Sequence, residues 1–137
     1  MISADTYLAK VKLFFSFLVD DFHFQQITQT ETGNAFYDIE FRKDEKVVSV
    51  SYETIEDYLQ VIIFILRNGQ RQDFNDKSNT IHLKDLNKEI FPRIDKNEIA
   101  ENNLVFDKLE TSSELDRKLL KSAKELRLVL KYWDSVG

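Results

Sequence analysis

Residues 35–66 read AFYDIEFRKDEKVVSVSYETIEDYLQVIIFIL, and this stretch decides the fold. Tyr37, Ile39 and Phe41 alternate with Asp38, Glu40 and Arg42. Successive side chains of a strand point to opposite faces, so this period of two describes one buried and one wet face. Beyond the charged turn Lys43-Asp44-Glu45-Lys46 the apolar parity resumes as Val48, Val50 and Tyr52, with Val47, Ser49 and Ser51 opposite. The spacing predicts a hairpin of defined register, because a slip of one residue would exchange the two faces. Residues 58–66 are apolar on both parities apart from Gln60. The β-branched Val61, Ile62, Ile63 and Ile65 favour a central strand covered on both sides over a buried helix.

Upstream, residues 24–30 read as a weakly apolar edge strand, with Phe24, Gln26, Thr28 and Thr30 on one parity and Gln25, Ile27 and Gln29 on the other. It leads into the turn Glu31-Thr32-Gly33-Asn34, where Gly-Asn tolerates positive φ. Before that strand, Tyr7, Leu8, Val11, Phe14, Phe15, Leu18 and Phe22 recur at helical spacing, and Leu13 and Phe17 widen the apolar stripe. The spacing predicts one continuous amphipathic helix, capped by Ser3 or Asp5.

Downstream, Asn68 to Asp73 and Asn75 to Asn79 read as a long polar connection, interrupted by one short paired stretch around Phe74. From Ile81 the pattern turns helical. Leu86, Ile90 and Phe91 face inward on a short helix that Pro92 ends, since proline lacks a backbone donor. Asp95 caps a second short turn, and Leu104, Val105, Phe106 and Leu109 supply a further apolar contact. A final helix starts at Thr111-Ser112-Ser113 and carries the stripe Leu115, Leu119, Leu120, Ala123, Leu126, Leu130 and Trp133.

The 137 residues accommodate one α+β domain, spanning residues 1–137, with 11 Phe and 5 Tyr to fill its core. Only 3 Gly and 1 Pro are present, which leaves no Gly-rich phosphate loop. The absence of cysteine removes disulfide frameworks, thiol nucleophiles and Cys-based zinc sites. A net charge of -5 repels nucleic acid and favours a basic partner. Lys10 and Lys12 precede a short apolar run, but Asp20 and Asp21 stand where a secretory signal would carry its cleavage site. The run is also too short to cross a bilayer, so a cytoplasmic protein without membrane attachment is expected.

Chemistry is sparsely written on the chain. His23 and His82 are the two histidines, and neither stands at metal-ligand spacing. Asp38, Glu40 and Arg42 on a strand, joined by Asp20 or Asp21, would supply the carboxylates of a Mg²⁺-dependent nuclease or hydrolase. The solvated outer face of a sheet explains the same residues, and the acidic field disfavours a nucleic-acid substrate. No serine lies in a nucleophile elbow. Lys118, Lys121, Lys124, Arg127 and Lys131 stripe the last helix, interleaved with Glu114, Asp116 and Glu125. This reads as a solvated helix face in preference to an anion site.

The remaining feature is acidic surface: Asp38, Glu40, Asp44 and Glu45 on the hairpin, with Glu53, Glu56 and Asp57 at its far end. Such a surface can steer and hold a basic protein. A self-associating structural protein, with aromatics such as Phe17 or Phe36 at a homodimer interface, is the alternative to partner binding.

The aromatic opening helix ending in Leu18-Val19-Asp20-Asp21-Phe22, the meander through Val48-Ser49-Val50-Ser51-Tyr52, the short helix at Leu83-Lys84-Asp85-Leu86 and the closing Leu130-Lys131-Tyr132-Trp133 form a recognisable layout. It resembles small bacterial α+β proteins of unknown function, and some immunity proteins of polymorphic toxin systems share it. The resemblance implies cytoplasmic binding and neutralisation of a cognate toxin, without catalytic residues or cofactor. The expected architecture is an antiparallel β-meander of four to five strands with the N-terminal and C-terminal helices packed on one face.

Overall fold

Five antiparallel strands, β1 (Gln25–Thr32), β2 (Phe36–Lys43), β3 (Lys46–Glu53), β4 (Tyr58–Ile65) and β5 (Thr80–His82), form one sheet in the order β1-β2-β3-β4-β5. The computed structural model describes residues 2–33, 35–70 and 80–136, with the backbone alone at residue 32 and residues 133–136. Asn34 of the expected Gly-Asn turn, the paired stretch expected at Phe74 and the side chain of Trp133 lie outside this description. The chain divides into two compact units, Met1–His82 and Leu83–Gly137. The sheet with its N-terminal helices and the C-terminal helices together make the α+β layout that the sequence predicts.

In the first unit the meander follows from the alternation. Tyr37 pairs with Tyr52, Ile39 with Val50 and Phe41 with Val48, so the apolar parities of β2 and β3 share a face. Val61 and Ile63 of β4 continue it through their pairing with Val50 and Val48. These residues are at most 7% exposed, Tyr52 being the least covered.

Helix α1 (Ala4–Phe14) lies on that face. Ser3 caps it, its Oγ accepting from the Thr6 N–H at 3.3 Å. Tyr7 stacks on Tyr52 at 5.7 Å between ring centroids and tilts against Tyr37 at the same distance. The Tyr37 hydroxyl in turn donates to the Ile2 carbonyl at 3.1 Å. Tyr7, Val11, Phe14 and Phe15 are buried, each contributing about 1.5–3 kcal/mol by leaving water.

The first helix is not continuous. It stops at Phe14, and a short α2 (Phe17–Asp20) begins after a break at Phe15 and Ser16. Phe14, Phe15, Phe17 and Leu18 are all buried. At 100° per residue an unbroken helix would spread them over roughly 160° of its circumference. Leu13 and Val19, on either side of the break, are exposed.

The strand pattern also departs from expectation on β1. Gln26 pairs with Phe41, but Thr28 pairs with Glu40, so a bulge at Ile27 interrupts the alternation and puts Gln26 and Thr28 on opposite faces. The fifth strand falls at Thr80–His82, next to β4 through the pairs Ile62–His82, Ile63–Ile81 and Phe64–Thr80. Those residues run directly into a helix, and the helical pattern that begins at Leu83 conceals them.

The second unit is helical: α3 (Leu83–Ile90), a single 3₁₀ turn (Phe91–Arg93), α4 (Lys96–Val105) and α5 (Glu114–Val136). Asp95 caps α4, its Oδ1 accepting from the Asn97 N–H at 2.8 Å. At the start of α5 the Ser113 Oγ accepts from the Asp116 N–H at 3.1 Å, while Asp116 Oδ2 accepts from the Ser112 N–H at 3.0 Å and its hydroxyl at 3.1 Å. Leu115, Leu119, Ala123, Leu126 and Leu130 are buried, as the stripe predicts. Asn102 locks α4 to α5: its Nδ2 donates to the Lys124 carbonyl at 2.8 Å, and its Oδ1 accepts from Arg127 at 2.9 Å. Phe91, Leu104 and Val105, expected inward, are exposed, whereas Phe106 is buried.

Candidate functional site

The face of the sheet opposite α1 carries the charged parity of β2, and it is not uniformly wet. Glu40, Ser49 and Ser51 are each at most 8% exposed. Polar groups here are bonded to one another, as buried polar groups must be. Thr28 Oγ1 donates to Glu40 Oε1 at 2.9 Å, and Ser49 Oγ donates to Asp38 Oδ1 at 2.6 Å. Gln60 Nε2 lies 3.0 Å from His82 Nδ1. Beside this polar row, Val47, Ile62, Phe64 and Leu66 form an apolar cluster.

Asp38 and Glu40 therefore hold strands together. Glu40 lies buried under Thr28, and Asp38 is half-buried. Asp44 and Glu45 occupy the two-residue turn between β2 and β3, where Asp44 takes a φ of 54°. Glu45 is engaged: its Oε2 accepts from the Gly69 N–H at 3.1 Å, and Arg42 approaches its Oε1 to 3.8 Å. Arg42 Nε also donates to the Asp44 carbonyl at 2.9 Å. This end of the sheet neutralises its own charge.

Glu53, Glu56 and Asp57 lie at the other end of β3, roughly 25 Å away at the rise of an extended strand. The structure does not gather the seven acidic residues into one patch. What it does gather is a mixed acidic and apolar group around the β3–β4 turn. Phe36, Glu53 and Tyr58 are cross-strand neighbours in one row. Phe36 is 36% exposed, Tyr58 46% and Ile55 at the turn 75%. Glu31 is exposed at the same end of β1, but it pairs with Tyr37 and so belongs to the face that carries α1.

This turn is held from both sides. The Thr54 N–H donates to the Ala35 carbonyl at 2.8 Å, and its Oγ1 donates to the same oxygen at 3.3 Å. From the α1 side, the Tyr52 hydroxyl donates to Asp57 Oδ1 at 2.5 Å. That placement fixes Asp57 in the left-handed region at a φ of 51°. Burial, with the Asp57 hydrogen bond and charge adding to it, pushes the Tyr52 phenol up to about 12. The phenol thus stays a donor across the physiological range.

The sequence groups Glu53, Glu56 and Asp57 by charge but does not single out Ile55 and Tyr58. An isoleucine flanked by Thr54 and Glu56 between two strands is the available signal, because a turn tip has no core to bury it. Asp20 and Asp21, the carboxylates required by the hydrolase reading, are exposed, and His23 is exposed at a φ of 63°. Among the described residues no three His, Asp or Glu side chains come together as a group that could hold a metal ion. No helix among the described residues is long and apolar enough to cross a membrane. Compared with protein families, with curated proteins and with solved structures, the chain matches none.

Proposed function

We propose that the protein is a non-enzymatic binding module that holds a basic protein partner at the β3–β4 end of its sheet. The observation that carries this reading is the exposure of Ile55, Tyr58 and Phe36 beside Glu53, Glu56 and Asp57. Apolar and aromatic anchors supply most of the affinity at interfaces, and the charges around them set approach rate and partner choice. The turn is already fixed by Thr54 and Asp57, which lowers the entropy lost on docking. A second copy of this chain fits less well, since a two-fold contact at this end would set the same carboxylates against each other. An immunity-like role, in which a cytoplasmic bacterial protein neutralises a cationic toxin, belongs to this reading.

The test compares immobilised wild-type protein with Ile55→Asp/Glu56→Lys, both changes lying on the exposed turn. The wild type is expected to retain a basic polypeptide that about 0.5 M salt releases, and the variant to retain at least tenfold less of it. Equal retention by the variant, or retention indifferent to salt, overturns the proposal. A wild-type dimer that the variant abolishes would assign the same surface to self-association instead.

A further inference from the structure

The helical unit contains an open cleft of about 530 Å³ whose charge is opposite to that of the chain as a whole. Lys84 and Lys88 line it from α3, and Lys121 and Lys124 from α5. With Glu125 as the one acidic residue among the described residues of the lining, the formal charge there is +3, in a chain whose net charge is -5. Lys84, Lys88, Lys121 and Lys124 come from two helices whose individual patterns look like ordinary solvated faces. Only the packing of α3 against α5 makes them converge.

Beside the lysines the lining includes asparagines and apolar side chains. Phe91 of the 3₁₀ turn, Ile99 of α4 and Leu128 of α5 all line the cleft. Phe91 is 39% exposed, although its position after Ile90 on an amphipathic helix predicts burial. A volume in this range fits a small molecule, and four lysines lining a cleft with apolar walls fit one that carries both an anionic head and an apolar body. The floor is rigid, because Asn102 ties α4 to α5 through Lys124 and Arg127, and Asn87 Nδ2 donates to Glu125 across α3 and α5.

We propose that this cleft binds a small amphiphilic anion, with its carboxylate or phosphate head among Lys84, Lys88, Lys121 and Lys124 and its apolar body against Phe91, Ile99 and Leu128. Inorganic anions lack the apolar body, and neutral amphiphiles lack the head. Both features of the lining are needed for tight binding.

Titration calorimetry on the full chain tests this with three probes: decanoate, decanol and inorganic phosphate. Decanoate is expected to bind with one-to-one stoichiometry and at least tenfold more tightly than either of the others. The exposed pair Lys84→Glu/Lys88→Glu is expected to weaken decanoate at least tenfold with an unchanged circular dichroism spectrum, and Phe91→Ala to weaken it several-fold. Should the double reversal disturb the fold, Lys88→Gln alone is expected to weaken decanoate by a factor of two or more. Decanol binding as tightly as decanoate removes the lysines from the site, and phosphate doing so removes the apolar walls. Either result overturns the proposal, as does decanoate affinity unchanged in the charge variants.

Discussion

The Tyr7 hydroxyl donates to the Val50 carbonyl oxygen at 3.0 Å, a contact between the first helix and the middle of the central strand β3. That oxygen belongs to the sheet, so the phenol uses its second lone pair to pin α1 in a single rotation about its axis. Burial, with Asp38 and Tyr52 adding to it, holds the Tyr7 phenol well above its ordinary value, and it remains a donor. Tyr7→Phe keeps the ring stacked and removes the hydrogen bond, with an expected loss of about 1 kcal/mol. Tyr7→Ala also removes the ring, with an expected loss of about 3–5 kcal/mol. Urea unfolding of both variants checks the difference.

High pH should act on the same aromatic cluster. Tyr52 has its folded-state value raised to about 12, and Tyr7 is raised as well. A group raised in the folded state contributes stability that is fully present below its unfolded value and is lost as pH rises through the folded one. The wild type is therefore expected to lose stability between about pH 10 and pH 12. Tyr52→Phe cannot ionise at that position, so its curve is expected to be flatter there, although it starts lower because the bond to Asp57 is gone. Thermal unfolding at about pH 9 and about pH 11 separates the two effects.

Glu125 responds in the acidic range. Burial raises its carboxyl above the ordinary value, against the opposing influence of Lys121 and the hydrogen bond from Asn87. The stabilisation from its protonated form is complete below the unfolded value and disappears as pH rises through the folded one. Glu125→Gln is thus expected to match the wild type near pH 4 and to exceed it in stability at neutral pH, by less than about 1 kcal/mol given its partial exposure. Denaturant midpoints at the two pH values decide the sign.

The hairpin turn between β2 and β3 offers a stabilising change. Asp44 is the first of two turn residues and sits at a φ of 54°, a conformation that glycine adopts without steric cost. Arg42 bonds to the Asp44 carbonyl rather than its carboxylate, so that contact survives substitution. Asp44→Gly is expected to raise stability by up to about 1 kcal/mol, seen as a higher urea midpoint with an unchanged slope.

The start of α5 is a further test of local structure. Ser113→Ala removes the oxygen that accepts from the Asp116 N–H, with an expected cost of about 1 kcal/mol. Ser113→Asp is expected to restore most of it, because a carboxylate is also a good cap and favours the positive end of the helix. Thermal unfolding of the two variants measures the cap directly.

The parts of the fold legible in the sequence are those where one residue's environment follows from its own position in a repeat. Tyr37, Ile39 and Phe41, then Val48, Val50 and Tyr52, declare their face by alternation, and the stripe on α5 does so by helical spacing. Features that depend on a meeting of distant segments are not legible that way. Thr28 reaches Glu40 only because the bulge at Ile27 shifts the pairing by one residue. The break at Phe15 and Ser16 falls inside a stretch that is apolar on both sides of it, so helical spacing alone does not mark it. For the candidate binding surface, the acidic residues at the β3–β4 turn are legible as charge. The exposure of Ile55 and Tyr58 depends on how this turn projects beyond the sheet.

The bulge at Ile27 also bears on how the protein tolerates its own concentration. Among the described residues β1 is an edge strand: every described side chain on it from Gln25 to Glu31 is exposed, and one of its backbone rims has no neighbouring described strand. An extra residue in such an edge bends it and disrupts the even spacing of donors and acceptors that an incoming strand would need. Together with the Gln and Thr side chains, this irregularity opposes the pairing of one molecule's sheet with the next. Strong pairing is thereby confined to the middle of the sheet, where the aromatic and β-branched residues of β2, β3 and β4 lie, while the β1 margin is a poorly matched template.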